Sequence, residues 1–240
     1  MPLNRLLLVV YTLCGARLAD ASRKILLLHG SSSTAGAFIN RGASSLTGAA
    51  ASAYHDGGPH AWQFGSLDWD AEIGEVTNCG DWWTSTAESS PEQLAAGDSA
   101  VSLVEETLRS GGFNGIVGFS HGALLASVVA ARAALGKDGC YSGLEFAVFC
   151  AGAIAEPYAE TFEELANTPP ALRKVQLPTL HCLSEADDTM PPDQGALLAG
   201  CFGGDCLWHD AGHAMPGKDE CKDIIAWCDE VCPTGSPFAS

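Results

Sequence analysis

The stretch Gly115-Ile116-Val117-Gly118-Phe119-Ser120-His121-Gly122 constrains the fold of this chain more than any other. A short apolar run enters it as a strand would, and a helix-compatible run from His121 to about Leu135 leaves it. A strand that becomes a helix across one residue forces the central Ser into a strained backbone conformation. Glycines two positions to either side let neighbouring backbone approach without a Cβ clash. The helix start then directs backbone N–H groups toward the space in front of Ser120, where a developing oxyanion would be stabilised. In a chain with 27 Gly the pattern Gly-x-Ser-x-Gly is weak by itself. The strand before it and the helix after it carry the argument.

The rest of the chain reads as strands alternating with helices. Lys24–Leu28 is a continuous apolar run, as expected of a strand buried on both faces. Ala61–Leu67 is a second strand candidate, followed by Leu144–Cys150, Thr179–Leu183 and Cys206–His209. A helix is expected from Ser90-Pro91-Glu92-Gln93, with Ser as cap and Pro in the first turn, to Gly111-Gly112. Another runs from about Lys218 to Val231 and stops near Pro233. The nearly low-complexity Ala49–Ala53 receives no assignment. The order predicts an α/β fold with a mostly parallel central sheet and helices on both faces. It occupies one domain over residues 22–240.

Against 12 Lys and Arg stand 29 Asp and Glu, a formal charge of −17. Such a surface repels phosphate backbones, so nucleic acid is a poor partner on electrostatic grounds and none is expected. Arg5 precedes the apolar run Leu6–Cys14, and small residues follow at Gly15, Ala16, Ala19 and Ala21. This pattern predicts a secretory signal peptide over residues 1–21 and a secreted or secretory-pathway protein. An ordinary buried strand or helix at the start of the fold, in a cytoplasmic protein, is the alternative. The run is too short for stable membrane insertion, which takes about 20 residues.

Ten cysteines favour an oxidising compartment only weakly, and removing the leader would take Cys14 and leave an odd number. Cys221, Cys228 and Cys232 fall within roughly 20° of one line on a helix, so small core hydrophobes are as good a reading as disulfide partners.

A Ser hydroxyl needs a His to remove its proton and a carboxylate to orient that His. His213, in His209-Asp210-Ala211-Gly212-His213, follows the last short strand beside a Gly that lets the loop turn back. It fits the role better than His209, which falls within the strand. The carboxylate is expected between Ser and His in chain order. Leu183-Ser184-Glu185-Ala186-Asp187-Asp188-Thr189-Met190-Pro191 offers both Asp187 and Asp188. His29-Gly30-Ser31 follows the first strand, so the Ser31 amide would stand beside the elbow. With the His121 amide it makes a two-donor oxyanion hole. His29 itself reads as structural. Trp62, Trp82, Trp83 and Trp208 could line an apolar pocket or pack in the core.

A competing zinc reading uses Cys201, Cys206, His209 and His213, whose spacing is at the edge of the usual range and leaves the elbow unexplained. A hydrolase-like fold that binds without turnover is a further alternative.

These motifs, in order, resemble the FSH-type family of serine hydrolases within the α/β-hydrolase superfamily, which includes fungal esterases and thioesterases. The resemblance runs over about residues 24–230. It rests on Lys24–Gly30, Trp82-Trp83, Gly112–Ala123, Pro178-Thr179-Leu180-His181 and His209–Pro216. It implies a small-molecule ester or thioester substrate and no metal or organic cofactor. It also places the acid on Asp187, with Ser184 at the turn and Pro191 following. His121 stands where the family usually has Gln. Leu67-Asp68-Trp69-Asp70 replaces a proline-containing segment, which leaves the acyl pocket's shape open.

Overall fold

The computed structural model describes residues 8–12, 23–31, 33–55, 62–67 and 91–232. Seven strands form one sheet: β1 (Leu8–Thr12), β2 (Arg23–Leu28), β3 (Trp62–Leu67), β4 (Gly115–Phe119), β5 (Phe146–Cys150), β6 (Thr179–Ser184) and β7 (Asp205–His209). Their spatial order is β1-β3-β2-β4-β5-β6-β7. β1 pairs antiparallel with β3, and every other neighbouring pair is parallel. The apolar run that reads as the core of an export leader thus supplies the edge strand. Trp82-Trp83, Asp68-Trp69-Asp70, Ser90, Cys14 and Pro233 lie outside the described residues.

The central strands are apolar on both faces because both faces are covered. Leu26, Leu28, Ile116 and Phe149 point to one side. There they meet α3 (Pro91–Gly111), α4 (His121–Leu135), α5 (Ala159–Asn167) and α6 (Pro192–Phe202). Ile25, Leu27, Val117 and Val148 point to the other, against α2 (Ser44–His55) and α7 (Lys218–Val231). Period-two alternation along each strand separates the two cores.

Three local results differ from the sequence reading. The unassigned Ala49–Ala53 lies inside α2, whose Leu46, Ala49 and Ala50 are buried in the second core. Small side chains there let the helix sit close to its neighbours. α5 and α6 are weakly marked in the sequence: α5 buries only Phe162 and Leu165, and Gly195 and Gly200 interrupt α6. β7 is an edge strand with most side chains in contact with solvent, and Trp208 is 52% exposed. On α7, Cys221 and Cys228 are buried on the core stripe, and Cys232, which caps its end, is partly covered. All the described cysteines are free thiols, and Trp62 is a core residue.

Before α2, a single turn α1 (Ala35–Ala37) runs on into the wider π-turn Phe38–Gly42. Thr34 caps it, its hydroxyl accepting from the Ala37 amide at 3.2 Å. A Cβ on Gly42 would lie 2.5 Å from the Phe38 ring, so glycine lets this turn close onto Phe38.

Candidate active site

The carboxyl ends of β2, β4, β6 and β7 converge at one edge of the sheet, where loops of an open parallel sheet gather side chains for chemistry. β4 ends directly in Ser120, which has φ 53° and ψ −123°, a conformation that L-residues rarely adopt. The Ser120 amide donates to the Cys150 carbonyl at 2.9 Å, anchoring the elbow to β5. The flanking glycines have a direct steric cause. A Cβ on Gly118 would stand 2.3 Å from the Gly122 carbonyl oxygen, and one on Gly122 would stand 2.3 Å from that of Leu28. Backbone occupies both spaces, so no side chain fits.

His213 reaches this Ser from the loop after β7. Its Nε2 lies 3.0 Å from Ser120 Oγ, and its Nδ1 lies 3.0 and 2.9 Å from the two Asp187 carboxylate oxygens. Asp187 is buried, while Asp188 faces solvent. Asp187 Oδ1 also accepts the amides of Thr189 (3.0 Å) and Met190 (2.8 Å), which hold the carboxylate in place. The Phe119 ring packs against the His213 imidazole with centroids 5.2 Å apart, and Phe38 stacks on Phe119 at 6.2 Å.

Ser31 and His121 flank Ser120. Ser31 Oγ is 3.4 Å from His121 Nδ1, and a Cβ on the intervening Gly30 would meet Ser120 Cβ at 3.1 Å. His121 is the first residue of α4, where the first backbone bond back to Ser120 comes from Ala123. His29 is buried and its Nδ1 donates to the Gly30 carbonyl at 2.8 Å, a structural use of that side chain. His209 is buried at the end of β7, where burial lowers its basicity.

The proposed zinc set does not assemble: among the described residues no group of three His, Cys, Asp or Glu could hold a metal ion. Cys201 lies in α6, Cys206 is exposed on the edge strand, and His213 is committed to Asp187 and Ser120. Cys206 and His209 are three apart on a strand and so project to opposite faces. The buried thiols are poor nucleophiles as well, since burial pushes Cys221 up to about 12.

A cavity of about 500 Å³ opens beside His213, with Phe38, Phe119, Met215 and Pro216 among its walls. That size suits a small organic ligand. Neither the turn Phe38–Gly42 nor its place in this wall was evident from the sequence, which carries no helix signal there.

Three kinds of comparison show what this chain is similar to. Esterase C25G4.2 of Caenorhabditis elegans is 29% identical over 155 residues, 60% of this chain and 67% of that protein. Esterase OVCA2 of Homo sapiens is 30% identical over 144 residues, 56% of this chain and 60% of that protein. The chain spans only 39% of esterase GA18864 of Drosophila pseudoobscura pseudoobscura, at 32% identity over 124 residues. Among solved structures, Zea mays acyl-protein thioesterase 2 superposes with TM-score 0.65 and 16% identity, covering 93% of this chain and 98% of that one. Esterase PE8 follows at TM-score 0.61 and 19% identity, covering 89% and 94%. At such identity these likenesses show the fold, that of the α/β-hydrolases. The family model described as "Serine hydrolase (FSH1)" matches residues 19–225, and the chain therefore belongs to that serine hydrolase family.

Proposed function

We propose that this protein hydrolyses carboxylic esters or thioesters through an acyl-enzyme on Ser120. The observation that carries this reading is the continuous array from Ser120 Oγ through His213 Nε2 (3.0 Å) and Nδ1 to Asp187 (2.9 Å). Because Nδ1 faces a carboxylate, it keeps its proton, and Nε2 is left as the acceptor that a general base requires.

Ser120 Oγ attacks the substrate carbonyl while His213 Nε2 takes the hydroxyl proton. The amides of Ser31 and His121 receive the oxyanion. The His29–Gly30 bond supports this use of Ser31. In a trans peptide the Gly30 C=O and the Ser31 N–H point in opposite directions, so holding the carbonyl aims the amide. His213 then returns its proton to the leaving alcohol or thiol, and the acyl–Oγ bond remains. Water, deprotonated by the same Nε2, attacks the acyl carbon, and the acid departs as Ser120 regains its proton.

Rapid mixing with p-nitrophenyl esters of graded chain length tests the acyl-enzyme. A burst of p-nitrophenol equal to the protein concentration is expected, absent from Ser120→Ala. Steady release with no burst, unchanged in Ser120→Ala, would refute it.

Entry into the secretory pathway with loss of residues 1–21 is proposed alongside, on the strength of Arg5, the apolar run and the small residues after it. Cleavage would remove β1 and leave the β3 edge open. Amino-terminal sequencing of protein from its native cell decides this. A start near residue 22 supports export, and a start at Met1 or Pro2 would mean that β1 stays in the sheet.

A further inference from the structure

The cavity beside His213 has a charge pattern at odds with the chain as a whole. The protein carries 29 acidic residues against 12 basic ones, yet no Asp or Glu is among the described residues lining this cavity. Its apolar walls are joined by a single basic residue, Arg41.

Arg41 is also the odd member of its kind. Arg23 pairs with Asp229, Arg109 with Glu106 and Arg132 with Glu105. Arg173 donates to the backbone carbonyls of Leu165, Thr168, Cys201 and Phe202. Among the described residues the Arg41 guanidinium has no such partner; the side-chain bond made there is accepted by its backbone carbonyl, from Ser44 Oγ at 2.9 Å. Arg41 is exposed, and it is the turn that carries it whose position is set. Arg41 belongs to the π-turn Phe38–Gly42, and Phe38 of that turn stacks on Phe119, which packs on His213. An aromatic column therefore ties the turn that carries Arg41 to the imidazole beside Ser120.

We propose that Arg41 selects esters or thioesters bearing a carboxylate or phosphate remote from the scissile carbonyl, with an apolar chain between the two. The proposal rests on the hydrolase reading of the Ser120 site. A guanidinium matches either anion with paired N–H donors, while the walls of Phe38, Phe119, Met215 and Pro216 take the chain. The long-range field of a −17 protein repels anions, so the preference must come from this local pair and appear mainly in KM.

Two matched pairs of substrates separate the possible locations of the anion. Mono-p-nitrophenyl suberate against p-nitrophenyl octanoate places it on the acyl chain. Octanoyl-coenzyme A against octanoyl-N-acetylcysteamine places it on the thiol. In one pair at least, the anionic-to-neutral ratio of kcat/KM should fall about ten- to a hundredfold in Arg41→Met, and further in Arg41→Glu. Arg41→Lys should retain part of the preference. A ratio unmoved by Arg41→Met and Arg41→Glu in both pairs, with neutral esters still cleaved, would overturn this inference alone. Failure of the wild-type protein to cleave any of the four would overturn the hydrolase reading and this inference together.

Discussion

The Gly212 amide donates to the Ser184 hydroxyl at 3.1 Å, tying the loop that presents His213 to the end of the strand that presents Asp187. The same hydroxyl accepts the Ala186 amide at 3.3 Å, so one side chain at the end of β6 pins both loops. Gly212 makes the arrangement possible. Its φ is +66°, and a Cβ there would press on the Ala186 carbonyl at 3.3 Å. The register of β6 against β7, with Ser184 beside His209, brings the two loops to the same height. From this brace follows the close pairing of His213 with Asp187 rather than with its exposed neighbour.

Asp187→Asn should therefore lower kcat by about 10⁴-fold, because an amide cannot hold the required His tautomer, while Asp188→Asn should stay near wild type. Steady-state kinetics on one p-nitrophenyl ester checks this. A damaging Asp188→Asn beside a near-silent Asp187→Asn would contradict the assignment.

The steric reading of the elbow makes a separate claim. Gly122→Ala must push its methyl into the Leu28 and His29 carbonyl oxygens, 2.3 and 2.5 Å from the ideal Cβ. A loss of at least about 1–3 kcal/mol is expected, with activity falling as the β2 and β4 loops part. Gly200→Ala is the control. That glycine is exposed in α6 with open space around it, and alanine there should stabilise by about 0.5–1 kcal/mol. Urea unfolding of the two variants measures both.

Much of the fold and site was legible because local chemistry and global architecture agree at the elbow. Gly118, Ser120 and Gly122 encode a backbone constraint readable without coordinates, and the buried strands announce themselves as unbroken apolar runs. Chain order and loop chemistry narrowed the His and Asp candidates, and only the family resemblance favoured Asp187 over Asp188. Burial separates them, and burial depends on how the β6 loop folds over Ser184. The turn carrying Arg41 was not legible, since its shape comes from the packing of Phe38 on Phe119 rather than from a periodic pattern. α2 was missed because Ala and Gly fill its close contacts and blur its helical period.

Stability should also fall on mild acidification. Burial holds the His181 imidazole down at about 4, against an ordinary 6.5. Above pH 6.5 neither folded nor unfolded chain protonates this site, so it has no effect there. Below that, the unfolded chain takes up the proton first, and stability is lost progressively until the folded site titrates near pH 4. From pH 7.5 to 4.5 this one group accounts for roughly 2–3 kcal/mol. His209, also lowered by burial, acts in the same direction. Urea unfolding across this range should show a shallower decline for His181→Leu than for wild type. Identical slopes would contradict the account.

The most direct test of the central claim is the reaction of the folded protein with a fluorophosphonate, followed by mass spectrometry of the modified peptide. An activated hydroxyl attacks phosphorus as it attacks a carbonyl, and an unassisted serine does not. The account predicts one label per chain, located on Ser120, and no label in Ser120→Ala or His213→Ala. A folded wild-type protein that takes no label, or one modified at a residue other than Ser120, would contradict it.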